Sequence, residues 1–178
     1  MKNIINVLTY GRIALGPVIF FALVIAENFG LALSLFILAS LSDYFDGFLA
    51  RKYNLTSVMG EILDPIADKI LIVFLLFALS LHFDSTYIGL VGSFILAREF
   101  WVAALRDINA RNNNTDATQV SFMAKVKTSL QLFAIGTYLA GIFLNNALVI
   151  FISDFILFIA FLVTIQTGIE YSQATFKE

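Results

Sequence analysis

Residues 42–69 read SDYFDGFLARKYNLTSVMGEILDPIADK. Four aspartates, Asp43, Asp46, Asp64 and Asp68, fall within this stretch. The runs on either side, LALSLFILAS before it and ILIVFLLFALS after it, are apolar enough to lie in a bilayer. An acid at membrane depth is costly, so its default reading is a functional site.

The rest of the chain supports a membrane setting. Of 178 residues, 60% are hydrophobic and 13% charged, and the mean hydropathy is +0.88. That composition points to an all-α, polytopic membrane protein rather than a soluble domain. Cysteine is absent, which excludes disulfides and thiol chemistry. The 19 Phe are scattered through the apolar runs and read as packing or lipid-facing residues. There is no long internal repeat and no sign of nucleic-acid binding. Residues 1–178 read as a single domain.

Apolar segments fall at 8–26, 31–50, 60–82, 86–106, 122–144 and 147–170, each close to the ~20 residues that cross a bilayer. Six transmembrane helices place both termini on one side. The connections after the first, third and fifth segments (ENFG at 27–30, HFDS at 82–85, and the turn at Asn145 and Asn146) contain no Lys or Arg. All eleven basic residues lie on the other side or in the helix halves nearest it. By the positive-inside rule that side is the cytoplasm, so the acidic stretch is expected to open there. The first segment is long, contains Arg12 and lacks an obvious small-residue cleavage site, so it is expected to remain as a resident helix.

Placed on helices at 100° per residue, the acids converge. Relative to Asp43, Asp46 falls about 60° to one side, Ala50 about 20° to that side, and Gly47 about 40° to the other. Gly60, Asp64 and Asp68 step by four and drift about 40° per step, forming one stripe. With Arg51 and Gly60 at the ends of antiparallel neighbours, Asp43 and Asp68 each lie roughly 12 Å deep. Like charges packed there need cations. Oxygen-only ligands, with no Cys and no nearby His, favour one or two Mg²⁺ or Mn²⁺ ions over zinc. Capping of helix ends would account for any one of these acids, but not for four at this spacing.

The residues Asp43, Asp46, Gly47, Ala50, Arg51, Gly60, Asp64 and Asp68 spell DxxDGxxAR, eight residues, then GxxxDxxxD. This pattern resembles the signature of the CDP-alcohol phosphatidyltransferases, which move a phosphatidyl group from a CDP-lipid to an alcohol and release CMP. The resemblance implies six transmembrane helices, usually in a homodimer, around a polar metal-binding cavity at the cytoplasmic side. It implies Asp43, Asp46, Asp64 and Asp68 as ligands of two divalent ions, and Asp46, Gly47, Ala50, Arg51 and Gly60 around the nucleotide. Asp68 matches the acid that acts as catalytic base on the acceptor hydroxyl.

Further motifs are similar to the phosphatidylglycerophosphate synthase branch of that family: NxxTxxR (Asn6, Thr9, Arg12), AREFxVxxLR (97–106), KVKTxxQ (125–131) and TxxxGxxY (Thr164, Gly168, Tyr171). Ala124 departs from the Gly expected before the first Lys. This branch implies CDP-diacylglycerol as donor and glycerol 3-phosphate as acceptor, with Arg12, Arg98, Arg106, Lys125 and Lys127 as candidates for the acceptor phosphate. Serine, inositol phosphate or phosphatidylglycerol as acceptor would keep the Asp chemistry and change the basic surround. Arg12 has a second reading, snorkelling to the interface. Glu99 is expected to point away from Arg98, and Lys125 and Lys127, about 160° apart, are not expected to share one pocket. Residues 109–120 (NARNNNTDATQV) read as a cytoplasmic loop.

Intramembrane acids also mark ion pathways, so a divalent-cation transporter is the reading from another class, disfavoured by the apolar runs beyond the acids. The expected location is the cytoplasmic membrane of a bacterium. A mitochondrial inner membrane is the alternative, although no Arg-rich transit peptide precedes the first segment.

Overall fold

A computed structural model describes the backbone of residues 2–53, 58–112 and 122–176 and, within these, the side chains of 10–42, 63, 65–112, 123 and 125–176. The described residues form six helices: α1 (Lys2–Phe20), α2 (Phe29–Tyr53), α3 (Val58–His82), α4 (Thr86–Arg111), α5 (Phe122–Phe143) and α6 (Ala147–Phe176). In hydrocarbon every backbone N–H and C=O must find its partner within the segment, and the helix is the local solution. Helix α1 ends in a π-helical turn at Phe21–Ile25. There the Ala26 N–H donates to the Phe21 carbonyl at 2.9 Å.

Three turns at one end of the bundle share a design. Each has a non-glycine residue in the left-handed region: Glu27 (φ 49°), Asp84 (φ 46°) and Asn145 (φ 48°). A polar residue follows each and caps the next helix. Asn28 Oδ1 accepts from the Leu31 N–H at 3.0 Å, Ser85 Oγ from Ile88 at 3.3 Å, and Asn146 Oδ1 from Leu148 at 3.0 Å. Left-handed geometry closes the preceding helix while the side-chain acceptor satisfies an orphan N–H of the next. These are the three connections that lack Lys and Arg.

The helices pack as a ring in the order α1, α2, α5, α6, α4, α3 and back to α1, with α3 also touching α5 across it. The core is Ile19 and Leu23 from α1 and its π turn, Phe36 and Ala39 from α2, Leu71, Leu75 and Leu79 from α3, Ile88 and Ile95 from α4, Ile135, Tyr138 and Leu139 from α5, and Leu157 from α6. Small residues bring backbones close, as membrane helix packing requires. A Cβ on Gly136 would lie 3.0 Å from the Phe36 ring. Outside, Phe100, Leu148 and Phe151 are exposed, as side chains facing lipid are.

Among the described residues, four helical segments are long and apolar enough to cross a membrane (Pro65–His82, Thr86–Arg111, Lys125–Phe143, Ala147–Phe176), and Tyr10–Ile25 and Phe29–Ser42 are shorter apolar ones. The molecule is a polytopic, all-α membrane protein. Its helices outrun the apolar runs at the basic end, because hydropathy marks the bilayer and not the helix. Thus 109–111, expected to begin a loop, is the last turn of α4. Asn109 is buried there and its Nδ2 donates to Thr175 Oγ1 at 2.9 Å. The remainder of that expected loop, 113–120, lies outside the described residues.

Candidate active site

Helix α3 carries Asp68, and α1 brings Arg12 to it. Arg12 is 1% exposed, and its Nη1 donates to Asp68 Oδ1 at 3.0 Å. Arg12 is therefore turned inward, not snorkelling, and it meets a carboxylate where a substrate phosphate was expected. A guanidinium on one oxygen fixes the orientation of the carboxylate.

Asp68 lines a cavity of about 540 Å³ bounded by α3, α4 and α5. Among the described residues α4 and α5 do not pack on each other, whereas α3 and α6 each touch both. The cavity occupies the gap between them. Its polar lining comprises Asp68 and Lys69 from α3, Arg98, Glu99 and Arg106 from α4, and Lys125, Lys127, Thr128 and Gln131 from α5. Ile72, Val73, Ile95, Leu96 and Val102 form its apolar part. Five cationic side chains thus share a cavity with two carboxylates, an arrangement suited to an anionic ligand.

The motifs that lie far apart in sequence meet here. Arg98 donates from Nε to the Thr164 carbonyl at 3.1 Å, from Nη2 to Thr167 Oγ1 at 2.8 Å, and from Nη1 to Glu99 Oε1 at 3.0 Å. Arg106 Nη2 donates to the Tyr171 hydroxyl at 3.1 Å, with the guanidinium carbon 5.3 Å from the ring centroid. Gln131 Nε2 donates to Thr164 Oγ1 at 2.9 Å. The stripe Thr164, Gly168 and Tyr171 on α6 is therefore the wall that holds the two arginines.

Two expectations from helical spacing need correction. Glu99 does not point away from Arg98: it accepts from Arg98 and from Lys127, and its other oxygen lies 3.6 Å from Lys69 Nζ. The 100° separation between neighbours on a helix is bridged by the reach of a long guanidinium. Lys125 and Lys127 both line the cavity, since long flexible lysine stems can bring ammonium groups together from diverging positions on a helix. They differ in setting: Lys127 is 5% exposed and paired, and Lys125 is exposed.

The side chains of Asp43, Asp46, Gly47, Ala50, Arg51, Gly60 and Asp64 lie outside the described residues, though their positions fall on α2 and α3. Among the described residues no three His, Cys, Asp or Glu side chains gather as a metal-sized group. The donor chemistry nevertheless fits a hard cation. Asp68 offers oxygen, the chain has no Cys, and its one His, His82, is the last residue of α3, about 21 Å of helix away from Asp68.

Fold and site together define a multi-pass membrane protein whose polar chemistry is gathered at the basic end of a helical ring, around a carboxylate and a cluster of cations. The family model described as CDP-alcohol phosphatidyltransferase matches residues 2–166, and the chain belongs to that family. It is 40% identical to a protein of Rickettsia bellii (strain RML369-C) named CDP-diacylglycerol–glycerol-3-phosphate 3-phosphatidyltransferase, over 99% of this chain and 97% of that protein. A protein of Escherichia coli (strain K12) with the same name is 33% identical over 97% of this chain and 94% of its own length. The family's members are transferases of phospholipid biosynthesis and generally depend on a divalent metal.

Proposed function

We propose that the chain transfers the phosphatidyl group of CDP-diacylglycerol to glycerol 3-phosphate, giving phosphatidylglycerol phosphate and CMP. The observation that carries this reading is the shared lining: Asp68 faces the same cavity as Arg98, Arg106, Lys125 and Lys127. A base and a phosphate-binding set in one cavity suit an acceptor that has both a hydroxyl to deprotonate and a phosphate to hold. The names of the relatives support the same donor and acceptor.

In this reading Asp43, Asp46, Asp64 and Asp68 would hold the divalent ions, two Mg²⁺ or Mn²⁺, and the ions would supply positive charge to the donor pyrophosphate and to CMP as leaving group. Asp46, Gly47, Ala50, Arg51 and Gly60 frame the nucleotide. Arg12 holds the Asp68 carboxylate in place. Lys125, Lys127 and Arg106 bind the acceptor phosphate, and Arg98, held by α6, braces them. Asp68 takes the proton of the acceptor hydroxyl. The hydroxyl oxygen then bonds to the phosphatidyl phosphorus, and the bond to CMP breaks with its electron pair leaving on CMP. The apolar part of the cavity is built by residues of the apolar runs of α3 and α4, a setting that suits a donor whose acyl chains stay in lipid.

The active site faces the cytoplasm of a bacterial inner membrane, as the distribution of basic residues supports, and the protein works as a homodimer with one catalytic domain per chain. An ion pathway is disfavoured, since beyond Asp68 helix α3 is packed with Leu71, Ile72, Leu75, Leu76 and Leu79. The test is CMP release by purified protein given CDP-diacylglycerol and Mg²⁺ with glycerol 3-phosphate, serine, inositol phosphate or phosphatidylglycerol. Release with glycerol 3-phosphate alone, abolished by EDTA, is expected. Preference for another acceptor would overturn the reading of the basic residues.

A further inference from the structure

Three cations from three helices, Lys69 of α3, Arg98 of α4 and Lys127 of α5, converge on the carboxylate of Glu99 at the cavity wall. We propose that Glu99 is a built-in competitor for the phosphate-binding cations. It holds Lys127 and Lys69 while no acceptor is bound, yields them to the phosphate of an incoming phosphomonoester, and takes them back as product leaves. The proposal rests on the reading of this cavity as the acceptor site.

Charge and mobility both support an exchange. Three cations against one carboxylate leave two positive charges, which a phosphomonoester dianion matches. Three like charges in a poorly solvated gap need an anion among them: Glu99 serves while the cavity is empty, and an arriving phosphate can take its place. Arg98 is fixed by its bonds to Thr164 and Thr167 on α6. The two amines are the mobile partners: a lysine ammonium is a point charge on a flexible stem, with donors that swing easily from one anion to another. Helices α4 and α5 do not pack on each other among the described residues, so the Glu99–Lys127 pair spans a gap that a ligand can enter.

The reaction gives a reason for such a competitor. The acceptor's phosphate is unchanged by the transfer and stays on the product. Its contacts are therefore equally strong in substrate, transition state and product. Uniform binding of that kind lowers KM without raising kcat, and in excess it retains product. A carboxylate that competes for Lys127 keeps the grip moderate.

The test is calorimetric titration of inorganic phosphate, and separately of glycerol 3-phosphate, into detergent-purified wild type, Glu99→Gln, Glu99→Asp and the double variant Glu99→Gln/Lys127→Met. Glu99→Gln should bind inorganic phosphate about tenfold tighter, the weight of one modest charged contact. Glu99→Asp, with a shorter reach, should show a smaller gain, and the double variant should lose it. In turnover the KM for acceptor should fall in Glu99→Gln while kcat stays level or drops. Phosphate affinity that is unchanged or weaker in the Gln variant overturns the proposal. If that variant does not fold, affinity at or below wild type in the Asp variant overturns it equally. Phosphate binding needs no turnover, so the outcomes separate: no CMP release with any acceptor sinks the proposed reaction alone, and release with unchanged phosphate affinity sinks the competitor alone.

Discussion

Gly168 on α6 lies so close to Arg98 on α4 that a Cβ there would sit 3.0 Å from Arg98 Cγ and 3.4 Å from its Nε. The arginine cannot easily give way, since Thr164, Thr167 and Glu99 hold its three nitrogens. Gly168→Ala therefore requires the Arg98 stem or α6 to shift by a few tenths of an ångström, at the expense of these hydrogen bonds or of the α4–α6 packing. The expected cost is about 1–3 kcal/mol of stability, with a raised KM for glycerol 3-phosphate. Thermal unfolding in detergent and acceptor titration of CMP release measure the two effects. A variant with wild-type stability and KM would show that this close approach has no consequence.

Asp68→Asn keeps the shape of the side chain and removes the base. If Asp68 accepts the acceptor's proton, CMP release should fall by roughly 10²–10⁴-fold, while gel filtration and helix content stay those of the wild type. Activity within a few fold of wild type would assign the proton to another group.

Much of this architecture could be read in advance, for reasons that particular residues make plain. Six apolar runs were enough for the six helices, because a bilayer permits few alternatives, but not for the order in which they pack. Asp68 stood out because an acid in such a run has to be accounted for. Partners were harder to read. That Thr164 and Thr167 would receive Arg98, or Tyr171 receive Arg106, depends on how α6 meets α4, and helical spacing within one element carries no such information. Glu99 was misplaced because a wheel treats a side chain as a direction, whereas an arginine can fold back on its neighbour. Asp154 is a different case. It lies inside the apolar run FISDFILF, a signal as plain as that of Asp68, and its partner is the buried Tyr138.

That pair yields a prediction about stability. The Tyr138 hydroxyl donates to the Asp154 carboxylate from α5 to α6, and the Tyr87 hydroxyl of α4 donates to the Asp154 carbonyl at 2.9 Å. Asp154 is ten residues before Thr164 on α6, about 15 Å along the helix. Tyr138→Phe should lower thermal stability, by about 1–3 kcal/mol for a carboxylate that loses a donor, and leave kcat/KM near wild type. A loss of activity larger than the loss of folded protein would tie this far cluster to the chemistry.

Lys125 and Lys127 provide the sharpest comparison within the cavity. Both line it, but Lys127 is buried and paired with Glu99 whereas Lys125 is exposed. A cation in a desolvated setting is worth more to an arriving phosphate than one screened by water. Lys127→Met should therefore raise the KM for glycerol 3-phosphate by about tenfold or more, the loss of one charged hydrogen bond. Lys125→Met should raise it by no more than about fivefold, the range of an exposed ion pair. Neither should change the KM for CDP-diacylglycerol, since neither lies in the Asp motif. If Lys125→Met had the larger effect, the phosphate would bind toward the solvent-exposed side of the cavity, and Glu99 would have no part in its exchange.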